Sequence, residues 1–162
     1  MMPDMVELAS RHFWLLGIFF AALNTFIVWR RAAPEMAQKP ELQEGYTRLI
    51  SGYAAMMALP WLVMGLGIFV GGVPDIWHYF RPHDGHPWVL AWWGVLIGLQ
   101  LLLFLWVFFQ GGADFLAAHP AFQPRGRGSG LPIKLQVILG LVGSAVGMAF
   151  LWFSDLPIEP FK

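Results

Sequence analysis

Residues 88–109 read WVLAWWGVLIGLQLLLFLWVFF, a stretch without a single Asp, Glu, Lys or Arg. A helix of about 20 apolar residues crosses a hydrocarbon core about 30 Å thick. Within lipid the backbone must satisfy its own hydrogen bonds, which leaves a helix or a closed barrel. Barrel strands alternate apolar and polar positions, and no such alternation is present here. The stretch therefore predicts a transmembrane helix. Three further runs share its lack of charge: His12 to Trp29, Ile50 to Val73, and Leu135 to Phe153. All ten basic and ten acidic residues fall between or outside the four runs. The expected fold is all-α, with four transmembrane helices in a single domain covering residues 1–162.

Composition narrows the function classes. The 162 residues are 57% hydrophobic and 12% charged, against about 25% charged in a soluble domain. The formal charge is zero, so no basic patch points to nucleic acid. Cysteine is absent, which removes disulfides, thiolate metal ligation, a Cys nucleophile and c-type haem attachment together. The segment before the first run carries Asp4 and Glu7 against one Arg11. The run itself ends in Trp29-Arg30-Arg31. A secretory signal needs a basic start and a small-residue cleavage site, so this run reads as an anchor.

Lys and Arg counted by loop set the expected orientation. Arg30, Arg31, Lys39 and Arg48 lie between the first two runs, and Arg125, Arg127 and Lys134 between the last two. Only Arg11, Arg81 and Lys162 fall on the other side. Both termini and the middle loop are expected outside. Two loop segments also echo one another at a shift of 80 residues. Trp29, Ala33, Met36, Ala37, Pro40, Leu42 and Gln43 align with Phe109, Ala113, Leu116, Ala117, Pro120, Phe122 and Gln123. Chance and an ancient duplication of one helical hairpin, giving two copies in parallel, are both compatible with this echo. The three-to-four spacing of its apolar positions predicts that spans one and three continue as helix beyond the membrane, ending before Pro40 and Pro120. Pro34 should disturb the first continuation.

Small residues allow close helix approach where lipid gives no hydrophobic drive. Gly17 and Ala21, Gly67 and Gly71, Gly94 and Gly98, and Gly143 and Gly147 are each spaced by four, with Gly140 and Ser144 on a neighbouring face. They predict packing inside a four-helix bundle or against another subunit. Pro60 sits mid-span and should kink its helix, leaving the Met56 carbonyl short of a donor. No ionisable residue lies at depth, which disfavours ion-coupled transport. Asn24 and Gln100 are the deep polar side chains, suited to interhelical hydrogen bonds or, with Pro60, to lining a path in an oligomer.

The concentrated polar feature is residues 74–88, PDIWHYFRPHDGHPW. It holds His78, His83 and His86, and His12 starts the first span at the same expected face. Imidazole and carboxylate suit Zn, Cu, Fe or Ni, so these four are candidate metal or haem-edge residues. Interfacial placement of His, Trp and Tyr explains the same residues structurally. Met56, Met57 and Met64 offer thioethers to Cu(I), though Met is commonly a core filler. Asp114, after Gly111-Gly112, is expected to cap a short helix leading to His119.

Residues 40–46, PELQEGY, followed by residues 59–68, LPWLVMGLGI, resemble a pattern in small four-span bacterial membrane proteins of no assigned function. The Gly71–Pro74 turn and residues 111–116, GGADFL, are similar to it too. The resemblance implies a bacterial inner-membrane protein, for which the charge count places both termini in the periplasm, and it brings no catalytic residue. The leading expectation is a non-catalytic protein that acts through helix contacts, as a homo-oligomer or a subunit of a membrane complex. An outward metal or haem site and a small oligomeric channel or carrier are the alternatives.

Overall fold

The computed structural model describes residues 2–122 and 133–154. Among them there is no strand. The elements are α1 (Met2–Gln38), α2 (Gln43–Phe69), α3 (Pro87–Phe109), α4 (Gly112–Ala117) and α5 (Ile133–Phe153). Four of these helices, all but α4, are long and apolar enough to cross a membrane. The chain is thus an all-α, multi-pass membrane protein, as the uncharged runs predict.

The helix bounds differ from the runs in ways that local chemistry explains. At 37 residues, α1 is about 55 Å long and continues well past Trp29. Pro34 lies inside it without breaking it. Its missing N–H deprives only the Arg30 carbonyl, in a basic segment beyond the apolar run where water can serve instead. The second run was expected to extend to Val73, but α2 stops at Phe69. There Val70 and Gly71 both donate their N–H to Leu66 O, and Val73 donates to Gly67 O at 2.9 Å. Gly72, at φ 75°, makes the turn that ends the helix.

The predicted continuation of α3 is corrected as well. Gly111 adopts φ 74° and splits α3 from the six-residue α4. Gly111 is itself the N-cap of α4, with no side-chain cap bond. Asp114 lies in the first turn of α4, where its charge favours the helix dipole, and it is not the cap. The two prolines paired by the 80-residue echo behave alike: Pro40–Leu42 and Pro120–Phe122 each form one 3₁₀ turn.

The spanning helices pack in chain order, α1 on α2, α2 on α3, and α3 on α5. The buried core lies at the end that holds the connection 70–86, here called the Tyr79 end. It comprises Met64, Ile68, Val73, Ile76, Tyr79, Val89, Trp92 and Trp93. The connection folds down into the bundle. Asp75 caps the turn Ile76–Phe80 by accepting from Trp77 N at 2.9 Å. Tyr79, fully buried, donates its hydroxyl to Met64 O at 2.9 Å, and Trp93 Nε1 donates to Tyr79 O at 2.8 Å.

On α1 and α2, glycines act as seats for aromatic rings. A methyl on Gly17 would fall inside the Trp61 indole, and one on Gly65 would lie 2.7 Å from Trp14 Cδ2. The two seats are reciprocal, each helix lending a tryptophan to the other's glycine. Gly67 receives the Tyr79 hydroxyl and Gly71 the Trp88 ring.

Candidate functional site

The four histidines proposed as metal ligands are engaged locally. His12 Nδ1 bonds Leu8 O at 2.8 Å, within its own helix. His78 Nδ1 pairs with the Asp75 carboxylate at 2.9 Å. His86 is the N-cap of α3, its Nδ1 accepting from Trp88 N at 3.3 Å. His83 Nε2 lies 3.6 Å from Asp84 Oδ1, which also pairs with Arg81 at 3.3 Å. Among the described residues no three His, Asp or Glu side chains come together as a metal would require. The density of histidine in residues 74–88 reflects turn and cap chemistry. Asp155 and Glu159, which follow the fourth run and could have added carboxylates to this face, lie outside the described residues, as do Arg125 and Arg127.

At the opposite end, called here the Pro40 end, the structure assembles a cluster that the linear sequence did not reveal. Tyr46, fully buried in the first turn of α2, donates its hydroxyl to Glu35 Oε2 on the extended part of α1. The Tyr46 hydroxyl oxygen in turn accepts from Ala121 N at 3.3 Å. His119 packs edge-on to Tyr46, with ring centroids 4.7 Å apart. Its Nδ1 lies 2.6 Å from Phe115 O, which sets the tautomer with the proton on Nδ1. The other nitrogen, Nε2, is buried without a partner against Gly45, where a methyl would displace it. Glu35, Tyr46 and His119 thus tie α1, α2 and the 117–122 turn together. His119 Nε2 faces backbone rather than a cavity, so the cluster is a fastening and not a reaction centre. The echo, which runs through Pro120 to Gln123, and His119 itself were the signals near it.

The deep polar residues separate. Gln100 Nε2 donates to Met148 Sδ at 3.2 Å and links α3 to α5, the interhelical role expected of it. Asn24 is half-buried on α1. Pro60 lies inside a continuous α2. The three residues sit on three different helices, α1, α2 and α3. Met64 belongs to the core at the Tyr79 end, while Met56 and Met57 line a groove toward the Pro40 end, so the methionines do not form one copper site.

What remains open is the α3–α5 side. None of α5 is buried, and its larger contacts are confined to α3 and α4. Between α3 and α5 runs an apolar groove of about 560 Å³ lined by Trp93, Gln100, Phe104, Leu141, Met148 and Trp152, among others. At 3.6 residues per turn, Gly140, Gly143 and Gly147 lie on the far side of α5 from this groove. A methyl on any of them would meet nothing within 4 Å, and the same is true of Gly94 and Gly98 on α3. The expectation that these glycines pack inside the bundle is therefore corrected. Flanking the α5 glycines are Leu139, Val146 and Phe150, exposed by 58%, 65% and 63%. All three stand on one side of the glycine strip, and the strip beside this ridge leaves a trough that lets another helix approach closely.

No protein-family model, curated protein or solved structure matches this chain.

Proposed function

We propose that the protein is a non-catalytic membrane subunit that assembles through the glycine trough of α5 with another transmembrane helix, from a second copy or from a partner subunit. The contrast between two sets of glycines carries this reading. Gly17, Gly65, Gly67 and Gly71 are filled from within the chain, while Gly140, Gly143 and Gly147 face open space beside exposed apolar side chains. Lipid tails are as apolar as leucine, so an apolar surface alone gives helices no reason to associate. A trough that lets backbones approach does. The absence of Asp, Glu, Lys, Arg and His from the depth of the four runs supports a structural role over transport. The charge count and the motif resemblance support placement in a bacterial inner membrane, with both termini periplasmic.

The test is the native mass of the protein purified in mild detergent, compared with Gly143→Leu and Gly147→Leu. Both side chains would fill the trough without touching the rest of the chain. The wild type is expected above monomer mass, with each variant dissociated and Leu23→Val on α1 unchanged. Variants that retain the wild-type mass, or a wild type that is monomeric, would refute the proposal.

A further inference from the structure

A second groove, of about 770 Å³, lies between α2 and α3 toward the Pro40 end. It is independent of the α5 trough. Its walls are apolar: Leu49, Met56 and Met57 from α2, Leu102 and Leu103 from α3, with Phe115 of α4 among the residues at the end. The volume falls within the range of about 300–1,000 Å³ typical of small-molecule sites. Gly52 lies on its wall, and a methyl there would meet nothing within 4 Å.

The polar groups gather at one end. Arg48, Tyr53 and Gln110 all line the groove. Arg48 gives one nitrogen to Glu44 at 2.5 Å. Its guanidinium carries five N–H donors in all, so others stay available for an oxyanion. The Tyr53 ring rests edge-on against Phe122, and neither its hydroxyl nor the Gln110 amide bonds another described residue. One carbonyl along the wall, that of Met56, lacks its helical donor because Pro60 has no N–H. The result is an apolar slot running along α2 and α3 that ends in the guanidinium shared with Glu44 and in uncommitted hydrogen-bond donors.

We infer that this groove holds one anionic phospholipid, with an acyl chain lying between α2 and α3 and the phosphate at Arg48, Tyr53 and Gln110. Charge decides the class of lipid. The lining contributes a guanidinium and no carboxylate, and Arg favours phosphate oxygens through paired N–H bonds. A neutral apolar molecule would leave those donors unanswered. A zwitterionic headgroup would bring its own cation against Arg48.

Native mass spectrometry of the full-length protein in detergent tests this, with dioleoylphosphatidylglycerol or dioleoylphosphatidylcholine added at equal concentration. One phosphatidylglycerol per chain is expected to be retained, about tenfold in excess of phosphatidylcholine. Gly52→Trp fills the slot and should abolish retention of both. Leu102→Trp, from the opposite wall, should do the same, so failure of one variant to fold leaves the other to report. Arg48→Gln should keep a bound lipid but bring the two headgroups to parity. Equal retention of both lipids by the wild type, or undiminished phosphatidylglycerol in a folded tryptophan variant, would overturn the inference.

Discussion

Placing a methyl group at Gly67 tests how the Tyr79 end is held. The position is in the last turn of α2, where alanine's advantage over glycine is at most the about 0.8–1 kcal/mol of a helix interior. Here the added Cβ would land on the Tyr79 hydroxyl, with Trp88 Cβ at 3.1 Å and Tyr79 Cζ at 3.2 Å. The hydroxyl cannot retreat without losing Met64 O, and Tyr79 is further pinned by Trp93 through its own carbonyl. Gly67→Ala should therefore destabilise the protein by about 1–3 kcal/mol, the usual cost of overpacking. Tyr79→Phe alone should cost about 1 kcal/mol for the lost hydrogen bond. It also removes the obstructing oxygen, leaving contacts just over 3 Å. In that background Gly67→Ala should cost less than about 1 kcal/mol and can become stabilising through helix propensity. The double-mutant cycle should then show a coupling of about 1–2 kcal/mol. Unfolding by SDS titration in mixed micelles, followed by tryptophan fluorescence, gives the four free energies. If Gly67→Ala costs the same with and without the hydroxyl, the seat described for Tyr79 is wrong.

The Pro40-end fastening and the Tyr79 phenol give two further expectations. Tyr46→Phe removes both the donor to Glu35 and the acceptor for Ala121 N. It should cost about 1–3 kcal/mol, the range for a hydrogen bond to a charged group, and speed amide exchange in residues 112–122 about tenfold or more. Unchanged exchange there would refute the link. Burial pushes the Tyr79 phenol up from 10 to about 12. The neutral phenol is the form the fold requires, so this stabilisation is complete below pH 10 and lost as pH rises through 12. Phenolate absorbance should show a late-titrating step coupled to loss of tryptophan packing, and Tyr79→Phe should remove that step.

The spans were legible because the feature that marks them, absence of charge over about 20 residues, is local and survives any tertiary arrangement. Residues 88–109 map onto α3 almost residue for residue. Helix ends were less legible. Arg30, Arg31 and Glu35 ended the first uncharged run, yet α1 continues through them to Gln38, since charge ends a membrane segment without ending a helix. The sites were harder still. Residues 74–88 look like a ligand cluster because histidine, aspartate and aromatic residues crowd together. The same residue types cap turns, and Asp75, His78 and His86 do so or bond beside one. The Glu35–Tyr46–His119 fastening joins residues up to 84 positions apart, and no periodicity connects them. Glycine spacing showed where small faces exist. Which are filled depends on where Trp14, Trp61, Tyr79 and Trp88 go, and that is settled only in three dimensions.

The reciprocal seats of Trp14 on Gly65 and Trp61 on Gly17 act on motion as well as on stability. Each indole is a peg in a notch, and the pegs point in opposite directions across the same helix pair. Sliding α1 along α2 by even one residue would drive a ring into a position that carries a side chain. The hairpin is therefore detented against piston movement. Any mechanical signal through this molecule would travel more readily along the α3–α5 seam, where the Gln100–Met148 hydrogen bond, the edge-on Trp93–Trp152 pair and Lys134 over the Phe108 ring make the contact and no ring is seated on a glycine.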